Sequence, residues 1–139
     1  MVRPVASTLL LLSAAALCLG ESDKPLLPQK PTLNRTHIVF AYTDDLWSVS
    51  RDGGEAIRLT AGSGAETDPI FSPDGTQILF TGVYDGNVDV FVIPSERGIP
   101  KRLTYHPAQD QAVGWSPDGK RILFRSTCDS YSRFRRLPA

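Results

Sequence analysis

The sequence predicts an all-β fold, an incomplete β-propeller of about two and a half four-stranded antiparallel blades. Three observations predict it. The first is an internal repeat: Phe71-Ser72-Pro73-Asp74-Gly75 returns as Trp115-Ser116-Pro117-Asp118-Gly119, 44 residues on. Between 59 and 80, nine of 22 positions are identical to their partners at that offset. The second is the chemistry of the repeated unit. Pro presets the second position of a turn, Asp tolerates the third, and Gly accepts positive φ at the exit. Apolar runs flank the turn on both sides, so it joins two strands. The third is composition: 11 Gly and 11 Pro in 139 residues favour many short strands over long helices.

The elements follow in chain order. Met1–Gly20 reads as a secretory signal peptide: Arg3 is its only charge, and Leu9 to Leu12 and Ala14 to Leu17 form a short apolar run. The run is shorter than the roughly 20 apolar residues of a spanning helix, so no stable membrane span is expected. Cys18 follows Leu17 where a lipoprotein site prefers a small residue. Residues 21–35 read as a Pro-rich linker, because Pro25, Pro28 and Pro31 disfavour helix and sheet alike. Asn34-Arg35-Thr36 matches a glycosylation sequon, a motif too short to carry weight.

The partial propeller is expected over 36–139, with blades at about 36–60, 66–104 and 111–139. In the middle blade, strand one is expected at Pro69–Ser72 and strand two at Gln77–Gly82. A turn at Tyr84-Asp85-Gly86-Asn87 leads to strand three, Val88–Ile93, and strand four is Lys101–Thr104. An earlier copy begins at Ile38-Val39-Phe40, 40 residues before Ile78-Leu79-Phe80; its hairpin at Thr43-Asp44 is four residues shorter. Continuous apolar runs such as Val90-Phe91-Val92-Ile93 suit blades packed on both faces. An isolated β-sandwich would also show frequent turns, but not the same text at a fixed offset.

The units resemble the WD40-like repeats of the TolB and tricorn type. The pattern aromatic-Ser-Pro-Asp-Gly-x-x-Ile-Leu-Phe at 71–80 and 115–124, with Leu-Thr at 103–104, carries that resemblance. Asp45-Leu46-Trp47, Gly53-Gly54-Glu55 and Arg58-Leu59-Thr60 look like the opening blade of tricorn-like serine proteases. So do Tyr84 to Val90 and Arg102 to Pro107. The resemblance implies a propeller segment that sieves or guides peptides, in a polypeptide whose PDZ module and catalytic region lie elsewhere. It implies no catalytic residue in this chain. The alternative is a non-catalytic, TolB-like periplasmic propeller acting as a protein scaffold. The Ser-Pro-Asp-Gly turn also occurs in propellers of prolyl-oligopeptidase relatives.

The remaining chemistry is sparse. With 15 basic and 15 acidic residues the chain is formally neutral, so no overall basic field is available for nucleic acid. Apolar content of 41% excludes a disordered chain. His37 and His106 read as strand-start and loop histidines without a nucleophile elbow. Cys128, alone once Cys18 is removed, has no sequence neighbour that would activate it. Asp85, Asn87, Asp89 and Glu96 have calcium-loop spacing, but Val90 stands where such a loop needs Gly. Arg125, Arg133, Arg135 and Arg136, with Tyr131 and Phe134 between them, read as the third strand of a blade, with Phe134 and Leu137 inward. No catalytic, cofactor-binding or metal-binding residue is therefore assigned. The expected partners are peptides or proteins. The residues after Gly20 hold about 2.7 repeats, fewer than the four to eight blades that close a propeller. The rest of a longer polypeptide, or oligomer partners, are expected to complete the ring.

Overall fold

The structure, a computed structural model, describes residues 27–62, 64–128, 135 and 136. Every regular element among them is a strand. The first sheet holds β1 (Gln29–Leu33), β2 (His37–Tyr42), β3 (Asp45–Ser50) and β4 (Ile57–Arg58). The second holds β5 (Glu66–Phe71), β6 (Gln77–Tyr84), β7 (Asn87–Pro94) and β8 (Lys101–Arg102). The third holds β9 (Asp110–Trp115), β10 (Arg121–Ser126) and β11 (Arg135–Arg136). Neighbours in sequence pair antiparallel in each sheet, giving three up-and-down meanders in series. The first strands stand side by side, β1 against β5 and β5 against β9. These are three successive propeller blades in an open array.

The turns explain the repeat. The Gly75 N–H donates to Ser72 O at 2.8 Å, and Gly75 adopts φ +75°. Ser72 Oγ donates to Asp74 Oδ1 at 2.6 Å and accepts the Gln77 N–H at 2.9 Å. Ser116, Asp118 and Gly119 repeat this arrangement at 2.5–2.9 Å. The Ser, Asp and Gly of the motif are thus all hydrogen-bonded within the hairpin. The hydrogen bonds to Asp74 and Asp118 hold both carboxyls below their ordinary pKa; the first cause is the hydroxyl of Ser72 or Ser116. The β6–β7 hairpin closes through Asp85 and Gly86, at φ +53° and +78°, as a two-residue turn of the kind that suits strand twist. Thr43 and Asp44 do the same in the first blade. The four extra residues of the middle blade lengthen its strands by two pairs, Val83↔Val88 and Tyr84↔Asn87.

Strand polarity positions the cores. In β6, Ile78 and Phe80 point toward blade 1, where they bury with Val39, Ala41, Leu46 and Leu59. Leu79, between them, points the other way and buries with Val90, Leu103, Ala112 and Ile122. The middle blade is therefore apolar on both faces, as its unbroken runs require. Burial of each large aliphatic or Phe side chain contributes about 1.5–3 kcal/mol. Phe80 and Phe91 stack at 5.6 Å, and Tyr84 meets Phe91 edge-on at 4.8 Å.

The expected linker at 21–35 is corrected over its second half: Gln29–Leu33 is β1, the first strand of blade 1. Pro31 is tolerated because the ladder skips it. Gln29 pairs with Ala41 and Thr32 with Val39, so Lys30 and Pro31 form a bulge, with Lys30 at φ +48°. Asp68-Pro69 in β5 repeats the device, with Asp68 at φ +55°. Strand limits also move: β5 starts at Glu66 rather than Pro69, and β8 ends at Arg102 rather than Thr104. The Leu103 N–H still donates to Val90 O at 2.8 Å. The expected third strand near the C-terminus is present as β11, where Arg135 pairs with Ile122 and Arg136 with Arg121. Tyr131, Arg133, Phe134, Leu137 and the expected signal peptide lie outside the described residues.

Candidate functional site: blade junctions, inner strands and rim clefts

A polar network crosses the first blade junction, and the part of it that lies within one blade recurs beside the second. Asp45, the first residue of β3, is buried, and its Oδ2 lies 2.5 Å from Arg58 Nη2. Thr60 Oγ1 accepts the Leu46 N–H at 2.9 Å and donates to Glu66 Oε2 of the next blade. The Tyr84 hydroxyl donates to Glu66 Oε1. In blade 2, Asp89 Oδ2 meets Arg102 Nη2 at 2.6 Å, and Thr104 Oγ1 accepts the Val90 N–H at 3.0 Å and donates to Asp89 Oδ1 of its own blade at 3.2 Å. At the second junction Asp110 stands in the place of Glu66, buried, with its Oδ1 unpartnered among the described residues.

Burial pushes the Glu66 carboxyl above its ordinary pKa. The Thr60 and Tyr84 hydroxyls oppose that shift, and the Asp45 charge adds to it. Tyr84 is raised as well, first by burial and then by its bond to Glu66. Such a network can order two blades against each other. It presents no nucleophile with a paired base.

The inner strands carry an ion pair. Lys30 Nζ lies 2.5 Å from Asp68 Oδ1, joining the bulges of β1 and β5. The Trp115 Nε1–H donates to Ile70 O at 3.1 Å, and the Ala112 N–H donates to Thr81 Oγ1 at 3.0 Å. Both bonds tie blade 3 to blade 2. In a propeller these first strands surround the central channel.

At the blade end that carries the Ser-Pro-Asp-Gly turns, two clefts open between blades. The first, about 1280 Å³, is bordered by Asn34–His37, Ser72–Thr76 and Pro94–Arg97. The second, about 1020 Å³, lies between blades 2 and 3.

Several residues singled out by sequence take other positions. His37 is exposed at the start of β2, with its Nδ1 2.9 Å from Thr36 Oγ1. His106 Nδ1 accepts the Ala108 N–H at 3.0 Å, and its Nε2 lies 3.8 Å from Cys128 Sγ. Cys128 therefore does have a histidine neighbour, which a separation of 22 residues concealed. Asp85 caps the β6–β7 turn, Asp89 is committed to Arg102 and Thr104, and Glu96 follows the far end of β7. Asn87 and Asp89 share a strand face, and Asn87 Nδ2 donates to Asp89 Oδ2 at 3.1 Å, whereas Glu96 lies beyond the other end of β7. No three His, Cys, Asp or Glu gather into a metal site among the described residues. Arg125 Nη2 donates to Gln111 Oε1 across the β9–β10 pair. Asn34 of the sequon is structural: its Oδ1 accepts the Thr36 and His37 N–H groups, and its Nδ2 donates to Gly75 O at 3.3 Å. The junction network went unread in sequence, although Asp45/Asp89, Arg58/Arg102 and Thr60/Thr104 all recur at the 44-residue offset.

Residues 25–138 match the Tricorn protease N-terminal beta propeller domain. The chain belongs to that family. The tricorn protease homolog 1 of Streptomyces coelicolor is 41% identical over 91 residues, covering 65% of this chain and 8% of the relative. The uncharacterized peptidase YuxL of Bacillus subtilis is 32% identical over 84 residues, covering 60% of this chain and 13% of the relative. The chain thus spans a small part of the length of these two relatives. The crystal structure of the tricorn protease superposes with a TM-score of 0.64 at 24% identity, over 72% of this chain and 11% of that one. TolB from Acinetobacter baumannii superposes with a TM-score of 0.63 at 23% identity, over 78% and 29%. At these identities the two structures establish the fold. No helix among the described residues is long and apolar enough to cross a membrane.

Proposed function

We propose that this tricorn-type propeller segment binds or gates peptides for an exported tricorn-like serine protease, whose catalytic groups lie outside this chain. The supporting observation is the family match over 25–138, joined to three successive blades whose inner strands adjoin. A blade array of this kind supplies exposed strand edges and inter-blade clefts on a rigid scaffold, which suits recognition rather than bond cleavage. The short apolar run at Met1–Gly20 supports export through a cleaved signal peptide.

The test is titration of the full chain with a labelled mixed-sequence peptide library, alongside a casein hydrolysis assay. Saturable peptide binding without hydrolysis is expected. Hydrolysis abolished by a serine-directed inhibitor, or an absence of peptide binding, would overturn the reading. A second reading, a TolB-like periplasmic scaffold, is favoured by the superposition on TolB. It predicts binding to folded envelope proteins and none to short peptides.

A further inference from the structure

The chain is formally neutral, yet the linings of the two clefts hold more Lys and Arg than carboxylates. Arg35, Arg51, Arg97 and His37 line the cleft between blades 1 and 2. Lys101, Lys120 and Arg121 line the cleft between blades 2 and 3. The Ser72–Thr76 turn is a wall common to both. These cations come from turns and strand ends scattered through the sequence. The meander brings them together because every blade presents its first and third hairpin ends on the same side.

The cleft linings hold three carboxylates, Asp74, Glu96 and Asp118, against six Lys and Arg, and Asp118 faces Lys120 and Arg121. Asp74 and Asp118 are committed to their own turns, Asp74 to the Ser72 and Thr76 hydroxyls and Asp118 to the Ser116 hydroxyl and the Lys120 N–H. Glu96 is the other carboxylate at the clefts among the described residues. The ion pairs of the described residues, Lys30–Asp68, Arg58–Asp45 and Arg102–Asp89, use none of Arg35, Arg51 and Arg97. Arg51 is propped in place, with Nη1 donating to Asn34 O at 3.3 Å and to Arg35 O at 3.4 Å. A guanidinium has five N–H donors, so a held arginine still has donors for an anion. Ile57, 42% exposed, and half-buried Phe71 add apolar surface to the same cleft.

We propose that the cleft between blades 1 and 2 binds an acidic peptide segment, its carboxylates meeting Arg35, Arg51 and Arg97 and its stems lying on Ile57 and Phe71. The arginine fork matches a carboxylate in two-point geometry, and the apolar surface matches a peptide side-chain stem. Single-stranded nucleic acid fits less well. It needs open aromatic platforms, whereas Phe71 packs against the core cluster and the His37 ring is bonded to Thr36. The inference rests on the peptide-binding reading above and names its ligand class.

The test is fluorescence anisotropy on the full chain with a labelled octapeptide of alternating Glu and Leu. Its Gln-and-Leu counterpart and an oligonucleotide of equal charge serve as comparisons. The acidic peptide should bind at least about tenfold more tightly than the neutral one. Its affinity should fall several-fold as salt rises from about 50 to about 200 mM. Arg35→Glu and Arg97→Glu should each weaken it several-fold, with circular dichroism unchanged because both side chains are exposed. Arg125→Glu, away from the clefts, should leave it unchanged. Equal binding of the neutral peptide, tighter binding of the oligonucleotide, or equal loss in Arg125→Glu would overturn the proposal. In the first case the broader peptide-binding reading stands; if no peptide binds, both fall.

Discussion

Phe80→Leu and Phe40→Leu remove the same atoms from equivalent blade positions, and the structure gives them different costs. Phe80 is fully buried between blades 1 and 2 and stacks on Phe91 at 5.6 Å. Losing the ring pair costs about 0.5–1.5 kcal/mol. Refilling the space with Leu costs up to about 1.5 kcal/mol more. A total near 2 kcal/mol follows for Phe80→Leu. Phe40 occupies the same register position in blade 1, opposite Trp47, but stands half-buried on the face turned away from blade 2. Its replacement should cost about 0.5 kcal/mol. Urea unfolding followed by tryptophan fluorescence reads both. With a slope of about 1–1.5 kcal/mol/M, the midpoint should fall by about 1.5 M for Phe80→Leu and by under about 0.5 M for Phe40→Leu. Equal shifts, or a larger one at Phe40, would refute the assignment of the blade 1–blade 2 core.

Three further outcomes follow from the polar groups. Thr104→Val removes the acceptor of the Val90 N–H and a donor to Asp89, both buried, and should cost about 1–3 kcal/mol in chemical denaturation. Glu66 has a folded pKa raised above its ordinary value, so the folded state holds that proton more tightly than the unfolded chain. Stability should therefore fall as pH rises through the window above the ordinary carboxylate pKa, and Glu66→Gln should flatten that slope in thermal melts. Asp74 and Asp118 have lowered folded values, so their contribution is complete above the ordinary carboxylate pKa and is lost as pH falls through the folded value. Asp118→Asn should reduce the acid sensitivity of melting; an unchanged acid limb would count against the turn network.

The blades were legible in sequence because their turns carry chemistry at fixed places. Ser72, Asp74 and Gly75 all bond within one hairpin, so the motif cannot drift without losing the turn. Alternation within Ile78-Leu79-Phe80 assigned no single buried face because the middle blade has two. β1 was concealed by Pro28 and Pro31, since a proline signals a break unless the pairing that skips it is known. The junction network was present as a repeated offset, but linking Asp45, Thr60 and Glu66 needs the packing of one blade on the next. The His106–Cys128 contact and the basic clefts depend on loop positions that no local pattern encodes. Glu66→Gln and Thr104→Val probe parts of the site that periodicity alone would have left as ordinary strand ends.

The central claim is that three sheets pack in series as successive propeller blades. Methyl-to-ring and methyl-to-methyl nuclear Overhauser effects on the full chain test it most directly. Ile78 and Ile93 should show contacts to Val39 and Leu46, whereas Leu79 and Val90 should show contacts to Ala112 and Ile122. Contacts from Leu79 to Val39, or from Ile78 to Ile122, would place the middle sheet the other way round and contradict the blade order.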